Sequence, residues 1–392
     1  MYGMYRKKAV FVAACVGMSF FGITMITLGS VLPHISETFG LNQLEKSALV
    51  VFLPIGILLG SLLFGPIVDR WGYKSLLMVS ALFVALGLEG LALIQNLALL
   101  RFAILSIGLG GGVINGLSTA LVSDITTDTD RKAKLSFLGI FYGIGALGVP
   151  VLFAFLSKYY AYQTILQYIG FLVLLCTVFF VSLRFPSAKQ PQGFPLMAGI
   201  KLLKEPLLLM MGFLLFFLSS IEALGNNWTT TYLGEVAALT AEQALFVLTC
   251  MMVGLTAARL VLSALFRVVG EKRLFLGSMI IALTGCLLLF FSPSFLGASI
   301  AMGMMGFGLS STVPVVFGTL GSAYPSLSGT VFSITLVIGL IGNTITNYLM
   351  GAIAQKWGIE LYPLLVLISM CAMVLLFSLS AYHTNATDRG AK

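Results

Sequence analysis

The sequence predicts an all-α membrane protein with twelve transmembrane helices arranged as two similar bundles of six. The first observation is composition: 59% of the 392 residues are hydrophobic, only 9% are charged, and the mean hydropathy is +1.04. A soluble domain of this composition would expose a large apolar surface to water and would aggregate. The second observation is a set of twelve apolar runs. The third is an internal similarity at a spacing of about 198 residues.

The apolar runs are each about 20 residues or longer, enough to cross ~30 Å of hydrocarbon at 1.5 Å of helical rise per residue. They lie near residues 9–33, 45–68, 74–95, 98–124, 133–157, 162–184, 206–233, 240–267, 272–292, 295–320, 326–353 and 359–382. The first run follows three basic residues, as a secretory signal would. It continues to about Leu32 without a clear cleavage site, which predicts a retained first helix.

The basic residues predict the orientation. With both termini placed inside, 17 of the 22 lysines and arginines fall in inner loops and tails, 4 fall at outer ends, and Arg259 lies within a run. This excess predicts cytoplasmic termini and a multi-pass protein of the inner membrane. It also accounts for the net charge of +8 as loop charge, so we expect a lipid bilayer and no nucleic acid as partner.

The longest polar interruption divides six runs from six. It predicts an N-terminal bundle at 1–184, a cytoplasmic linker at 185–205 and a C-terminal bundle at 206–392. A shift of about 198 residues places Gly72 on Gly270 and Lys74 on Lys272, whereas Asp69 falls on Arg267. The second half therefore carries a degenerate copy of the charged motif that ends at Lys74 in the first half.

A charged hairpin, Gly65–Lys74, joins the second and third apolar runs and follows the pattern G-x-x-x-D-R-x-G-x-K. It resembles the signature loop of the major facilitator superfamily. The resemblance implies two parallel six-helix bundles with a solute site between them at the bilayer midplane. It also implies that Asp69 caps the start of the eleventh helix, near residues 326–328, and latches the cytoplasmic side. We assign Asp69, Arg70, Gly72 and Lys74 to this conformational gate.

Several further stretches resemble the branch of that superfamily that contains the fucose–proton symporter and sodium-linked sugar carriers. They are Gly108–Asn115, Leu121–Asp124, Glu222–Tyr232, Ala258–Leu260 and Gly306–Pro314. One departure matters. Carriers of this branch have an acidic residue in the first helix and another in the fourth; here the first has none and the fourth has Asn115. The coupling mechanism therefore does not carry over.

Buried ionisable groups are costly in a bilayer, so each is a functional candidate. Glu222 lies in the middle of the seventh run, and Asn226 follows one turn later. Asn227 and Trp228 add hydrogen-bonding and aromatic groups of the kind that bind sugars. We assign these four residues to the path of the substrate or coupling ion. A purely structural carboxylate and an interfacial aromatic anchor are the alternatives.

Uncharged polar residues complete the predicted path. They are Thr24 and Thr27 in the first run, Asn115 and Ser118 in the fourth, and Asn343 and Asn347 in the eleventh. Each serine or threonine could instead bond to its own helix backbone. Arg259 is too deep to remain unpaired and is assigned to the gate or to an interhelical contact. Glu89 and Arg101 are interpreted as structural, with Arg101 able to reach the headgroups.

These features predict a secondary transporter, not an enzyme, moving a small polar solute by alternating access with H⁺ or Na⁺ coupling. A sugar or sugar derivative is the favoured solute. No cofactor or metal is expected, because the two histidines and five cysteines are scattered, and no phosphate-binding loop is present. We expect a monomer. The leading alternative is an exporter of drugs, lipids or amphiphiles, since Gly139–Gly148 resembles an antiporter motif. An intramembrane enzyme or sensor is a second alternative.

Overall fold

The computed structural model describes residues 6–41, 43–189, 201–292 and 294–390. The helices in the first part are α1 Lys7–Phe39, α2 Gln43–Val50, α3 Phe52–Trp71, α4 Tyr73–Leu93, α5 Leu97–Ile125, α6 Asp128–Leu156 and α7 Tyr162–Ser182. Those in the second are α8 Pro206–Val236, α9 Ala241–Leu265, α10 Glu271–Phe291, α11 Phe295–Leu309, α12 Thr312–Ala323, α13 Ser328–Trp357 and α14 Tyr362–Gly390. A 3₁₀ turn, Ile359–Leu361, precedes α14.

Twelve helical segments in the described residues are long and apolar enough to cross a membrane, judged by length and composition. This confirms the twelve predicted spans. The fifth departs most from its predicted bounds, since it occupies Asp128–Phe153 instead of 133–157. Hydropathy misses this start because Asp128 and Asp130 are polar. Acidic residues nevertheless favour the first turn of a helix, where they face its positive end.

The chain divides into two compact units. The first takes the described residues of Met1–Ile125, Phe141–Pro195 and Tyr324–Ser333. The second takes those of Thr126–Ile140, Leu196–Ala323 and Ile334–Lys392. Each unit thus includes one short stretch from the other half of the sequence: the start of α13 in the first unit and the start of α6 in the second. The predicted domain boundaries at 184 and 206 stay a prediction.

In the first unit, α3 and α4 both pack against α5, and α4 also packs against α7. The approach of α3 to α5 is close enough that a Cβ on Gly56 or Gly108 would collide with the backbone of the other helix. α3 ends at Trp71, and the next residue, Gly72, has a φ of 81°, a conformation that a side chain would strain. This turn sends the chain directly into α4.

In the second unit, α9 and α10 pack against α11, and α8 packs against α14 and α12. The tenth span is broken between α11 and α12 at Ser310 and Ser311. Pro314 explains the break, because it lacks an N–H and its ring obstructs the carbonyl four residues earlier.

Candidate functional site

A hydrogen-bonded cluster of amides and one indole joins α8 to α13 in the second unit. The Asn347 Oδ1 accepts from the Asn227 side-chain amide and from the Trp228 indole N–H, both at 3.1 Å. The Asn347 Nδ2 donates to the main-chain carbonyl of Asn343 at 3.0 Å and to its Oδ1 at 3.1 Å. Asn347 is therefore the centre of the cluster, and its bonds fix the orientation of the other three side chains.

The helical repeat explains why α13 can supply this cluster. Asn343 and Asn347 are one turn apart and share a face, and Gly351 follows on the next turn. The Trp228 ring lies beside Gly351, where even a Cβ would make only an ordinary contact with it, at 3.6 Å. Asn226 and Asn227 are exposed, and Trp228 is partly exposed. The cluster thus presents amide groups and an aromatic face that a polar ligand could contact.

Glu222 lies one turn before Asn226 on α8 and is partly exposed. Its carboxylate forms no hydrogen bond or close ion pair with the residues that the structure describes, although the positive charge of Arg259 attracts it. Arg259 is held by α6: its guanidinium donates to the Gly139 carbonyl at 2.6 Å, and its own carbonyl accepts from Ser136 at 2.9 Å. Arg259 thus makes an interhelical contact, while its gate role stays a prediction.

The path residues predicted in the first unit are mostly enclosed by helix packing. Thr24 is fully buried against Gly111, and Ser118 is fully buried beside Gly17. Thr27 is also buried and donates to the carbonyl of Ile23 at 2.7 Å, within its own helix. Among these predicted residues of the first unit, Asn115 alone is partly exposed. Their assignment to a transport path remains a prediction.

The Asp69 side chain lies at the start of α13, inside the first unit. Its Oδ2 accepts from the Thr330 main-chain N–H at 3.0 Å and from the Thr330 hydroxyl at 2.8 Å. Thr330 is the third residue of α13, so the carboxylate bonds an amide that has no partner within the helix. Close packing of Gly65 against Gly329 allows this approach. Asp69 is 1% exposed and its charge faces the positive helix end.

Asp124 forms a second anchor for the same helix start. It accepts from Ser328 at 2.9 Å, pairs with Lys189 at 2.6 Å, and accepts a short hydrogen bond from the Tyr73 hydroxyl. Lys189 also donates to Ser328 at 2.5 Å. A lysine of the segment that follows α7 thus completes this network. We call Asp69, Tyr73, Asp124, Lys189, Ser328 and Thr330 the α13 network.

The other predicted gate residues lie around this network without joining it. Lys74 donates to the carbonyl of Val181 at 2.6 Å, which ties α4 to the end of α7. Arg70 is exposed, and its guanidinium lies 4.6 Å from the centre of the Trp71 ring. Gly72 supplies the turn described above. These three residues shape the hairpin, and their role in gating stays a prediction.

The second unit contains a comparable network at the start of α6. Lys132 pairs with Glu271, which also accepts from Thr319 at 3.1 Å, and the Arg267 Nε lies 3.2 Å from the Asp130 carboxylate. Arg131 binds Asp128 and Ser322, and Ser322 donates to Asp128 at 2.9 Å. We call these eight residues the α6 network. It ties α6 to α10, α12 and the segment after α9.

Most members of both networks were missed from the sequence, where only the Asp69 contact was expected. The internal shift of about 198 residues was the signal that could have found them. It places Asp69 on Arg267, Tyr73 on Glu271, Asp124 on Ser322, Asp130 on Ser328 and Lys132 on Thr330. Corresponding positions therefore build both networks, and their charges differ: the acidic Asp69 of one is the basic Arg267 of the other.

The family model of the Major Facilitator Superfamily matches residues 11–346. The chain belongs to the major facilitator superfamily. An uncharacterized MFS-type transporter of Yersinia pestis is 22% identical over 334 residues, which are 85% of this chain and 86% of the relative. The TsgA homolog of Edwardsiella ictaluri is 24% identical over 346 residues, 86% of each protein.

The fold of this MFS protein is also that of solved transporters. The crystal structure of a variant of the E. coli fucose:proton symporter FucP superposes with a TM-score of 0.79 at 19% identity, covering 94% of this chain and 98% of that one. This likeness confirms the predicted fold, and the family model confirms the resemblance to the superfamily. The structure also accounts for two glycines in the antiporter-like stretch of this MFS protein: Gly145 lets α6 meet the α1 backbone at Ser19, and Gly139 contacts Arg259.

Proposed function

We propose that the protein is a secondary active transporter for a small polar solute, a sugar or sugar derivative, in the bacterial inner membrane. Transport proceeds by alternating access and is coupled to H⁺ or Na⁺. The observation that carries the proposal is the Asn347-centred cluster with Glu222 one turn away on α8. Sugars are bound by hydrogen-bonding side chains set beside aromatic faces, and this cluster offers both.

The amides and the indole of the cluster are uncharged, which favours a neutral, hydroxyl-rich solute over a drug-like cation or a lipid. Three amides and one indole provide donors and acceptors of fixed direction, and the bonds among them keep those directions before a ligand arrives. A site for amphiphiles would instead need a large apolar surface. FucP, which shares the fold, is a fucose:proton symporter, and this supports a sugar as the class of solute.

Glu222 is the residue proposed to couple transport to the ion. A carboxylate inside a membrane span is tolerated when it binds a proton, a cation or a hydrogen-bonding partner. The described residues supply it with the long-range attraction of Arg259 and no hydrogen bond. The Glu222 carboxylate is therefore available to bind H⁺ or Na⁺. Asn226, one turn further along α8, would link the charge of Glu222 to binding of the solute.

Uptake of radiolabelled sugars into proteoliposomes tests the proposal. With an imposed H⁺ or Na⁺ gradient we expect saturable accumulation of at least one neutral sugar, which an ionophore abolishes. The Trp228→Phe variant should raise KM, because the indole donor to Asn347 is lost. Trp357→Phe is the control, since that indole is exposed and lies outside the cluster. Absence of sugar uptake, with saturable transport of cationic drugs, would overturn the proposal.

A further inference from the structure

Arg101 lies in the second turn of α5 with an incomplete set of partners. Its guanidinium lies 5.9 Å from the centre of the Phe52 ring. Its Nε is buried and has no hydrogen-bond acceptor among the described residues, and none of their ion pairs involves Arg101. Arginine stays charged under all relevant conditions and carries five N–H donors. An external acceptor cannot reach the buried Nε. The terminal guanidinium nitrogens are not among these buried atoms and donate to none of the described residues, so they can bind such an acceptor.

The start of α5 adds a second source of positive potential. The Asn96 side chain accepts from the main-chain amides of Ala98 and Leu99 at 2.9 and 3.3 Å, and the first turn contains no acidic residue. Acidic residues are favoured at this end of a helix and basic ones are disfavoured, because the helix dipole is positive there. The positive charge of Arg101 therefore interacts unfavourably with the helix dipole, and the first turn contains no acidic residue to compensate for this.

We propose that Arg101 binds a phosphate group at the predicted outer end of α5. The guanidinium fork matches two phosphate oxygens, and the centre of the Phe52 ring lies 5.9 Å from the guanidinium carbon. Side chains on a helix lean towards its N-terminus, so the guanidinium is carried towards the outer surface. The phosphate can come from a lipid headgroup or from free phosphate in solution. The site is independent of the proposed sugar path.

The purified full-length protein, delipidated in a neutral detergent, is suitable for the test. Its Tm is measured against increasing inorganic phosphate, with chloride at matched ionic strength as reference. A short-chain phosphatidylglycerol and a phosphate-free amphiphile of the same chain length form the second pair. We expect a phosphate-dependent rise in Tm for the wild type. In Arg101→Gln the apparent affinity should fall about tenfold or more, the loss expected for a charge-assisted contact.

Lys356→Gln is the matched control. Lys356 also lies at a predicted outer helix end with its ammonium 4.7 Å from an aromatic ring centre, that of Trp357. It stands in the last turn of α13, where the helix dipole favours a cation without any added anion. Its substitution should leave the phosphate response unchanged. Arg101→Lys retains the charge without the fork and should give an intermediate affinity, which separates phosphate binding from a folding defect.

The outcomes distinguish the two sources. A response to phosphatidylglycerol alone assigns the site to a lipid headgroup, and a response to inorganic phosphate assigns it to a soluble anion; either supports the phosphate site. Equal responses in wild type, Arg101→Gln and Lys356→Gln would overturn it, as would no response to either phosphate source. Phe52→Leu should weaken binding a few-fold, since the cation–ring contact is lost while Arg101 remains.

Discussion

The Asp69 carboxylate and Thr330 are joined by two hydrogen bonds, one from the main-chain amide and one from the hydroxyl, although 261 positions separate them in the chain. The contact connects the last turn of α3 to the first turn of α13. Because the carboxylate is buried and faces the positive end of the helix, the bond gains both from capping and from charge. Any motion that withdraws the start of α13 must break it.

The Asp69→Asn variant tests this contact. An amide can still accept from Thr330, but the negative charge at the helix end is lost, which should cost roughly 0.5–2 kcal/mol. We expect kcat for solute uptake to fall several-fold while KM stays nearly constant, because Asp69 bonds the first turn of α13, whereas Asn343 and Asn347 lie further along that helix. Initial rates in proteoliposomes measure both. Loss of affinity at unchanged kcat would contradict the role of Asp69 as a latch.

Thr330→Val separates the two bonds of Asp69. Valine removes the hydroxyl donor and keeps the main-chain N–H, so it should have a smaller effect on turnover than Asp69→Asn. The double variant should be less impaired than the sum of the two single variants if the residues act through one contact. Strict additivity would show that Asp69 and Thr330 act separately.

The α6 network allows a test by packing instead of charge. The Lys132 side chain packs against Gly318 and pairs with Glu271. A Cβ on Gly318 would lie 2.4 Å from the lysine Cγ. Gly318→Ala should therefore displace Lys132 and lower stability by about 1–3 kcal/mol, the usual cost of overpacking. Thermal unfolding measures the change. Gly277→Ala is the control, since nothing lies within 4 Å of a Cβ at that position.

The Glu222→Gln variant tests ion coupling. If Glu222 binds the coupling ion, the variant should lose concentrative uptake and retain exchange of labelled for unlabelled solute, which needs no net ion movement. Glu89→Gln is the matched control: it also removes a carboxylate within a span, but Glu89 packs against Gly170 of α7. Normal accumulation by Glu222→Gln would remove the assignment.

The spans could be predicted from the sequence because a bilayer imposes length and hydropathy on each of them. Apart from the Asp69 contact, which the family resemblance implied, residue contacts could not be predicted, because they depend on how each helix is rotated about its own axis. Thr24 illustrates this: it corresponds to Glu222 under the shift of about 198 residues, yet its side chain packs against Gly111. Lys189 illustrates a second limit. It lies in the segment after α7, where no periodic pattern indicates which side chain it contacts.

Asn347 provides the sharpest test of the proposed solute site. Its amide group accepts from Asn227 and Trp228 and donates to Asn343, so Asn347→Ala removes the group that orients all three. We expect KM for the transported sugar to rise at least tenfold, since roughly 1–3 kcal/mol is lost when hydrogen-bonding groups are left unpaired. Thr344→Ala is the control on the same helix, because that exposed hydroxyl donates to the main-chain carbonyl of Leu340 one turn earlier. Equal KM values for the two variants would show that the cluster holds α8 to α13 without contacting the solute.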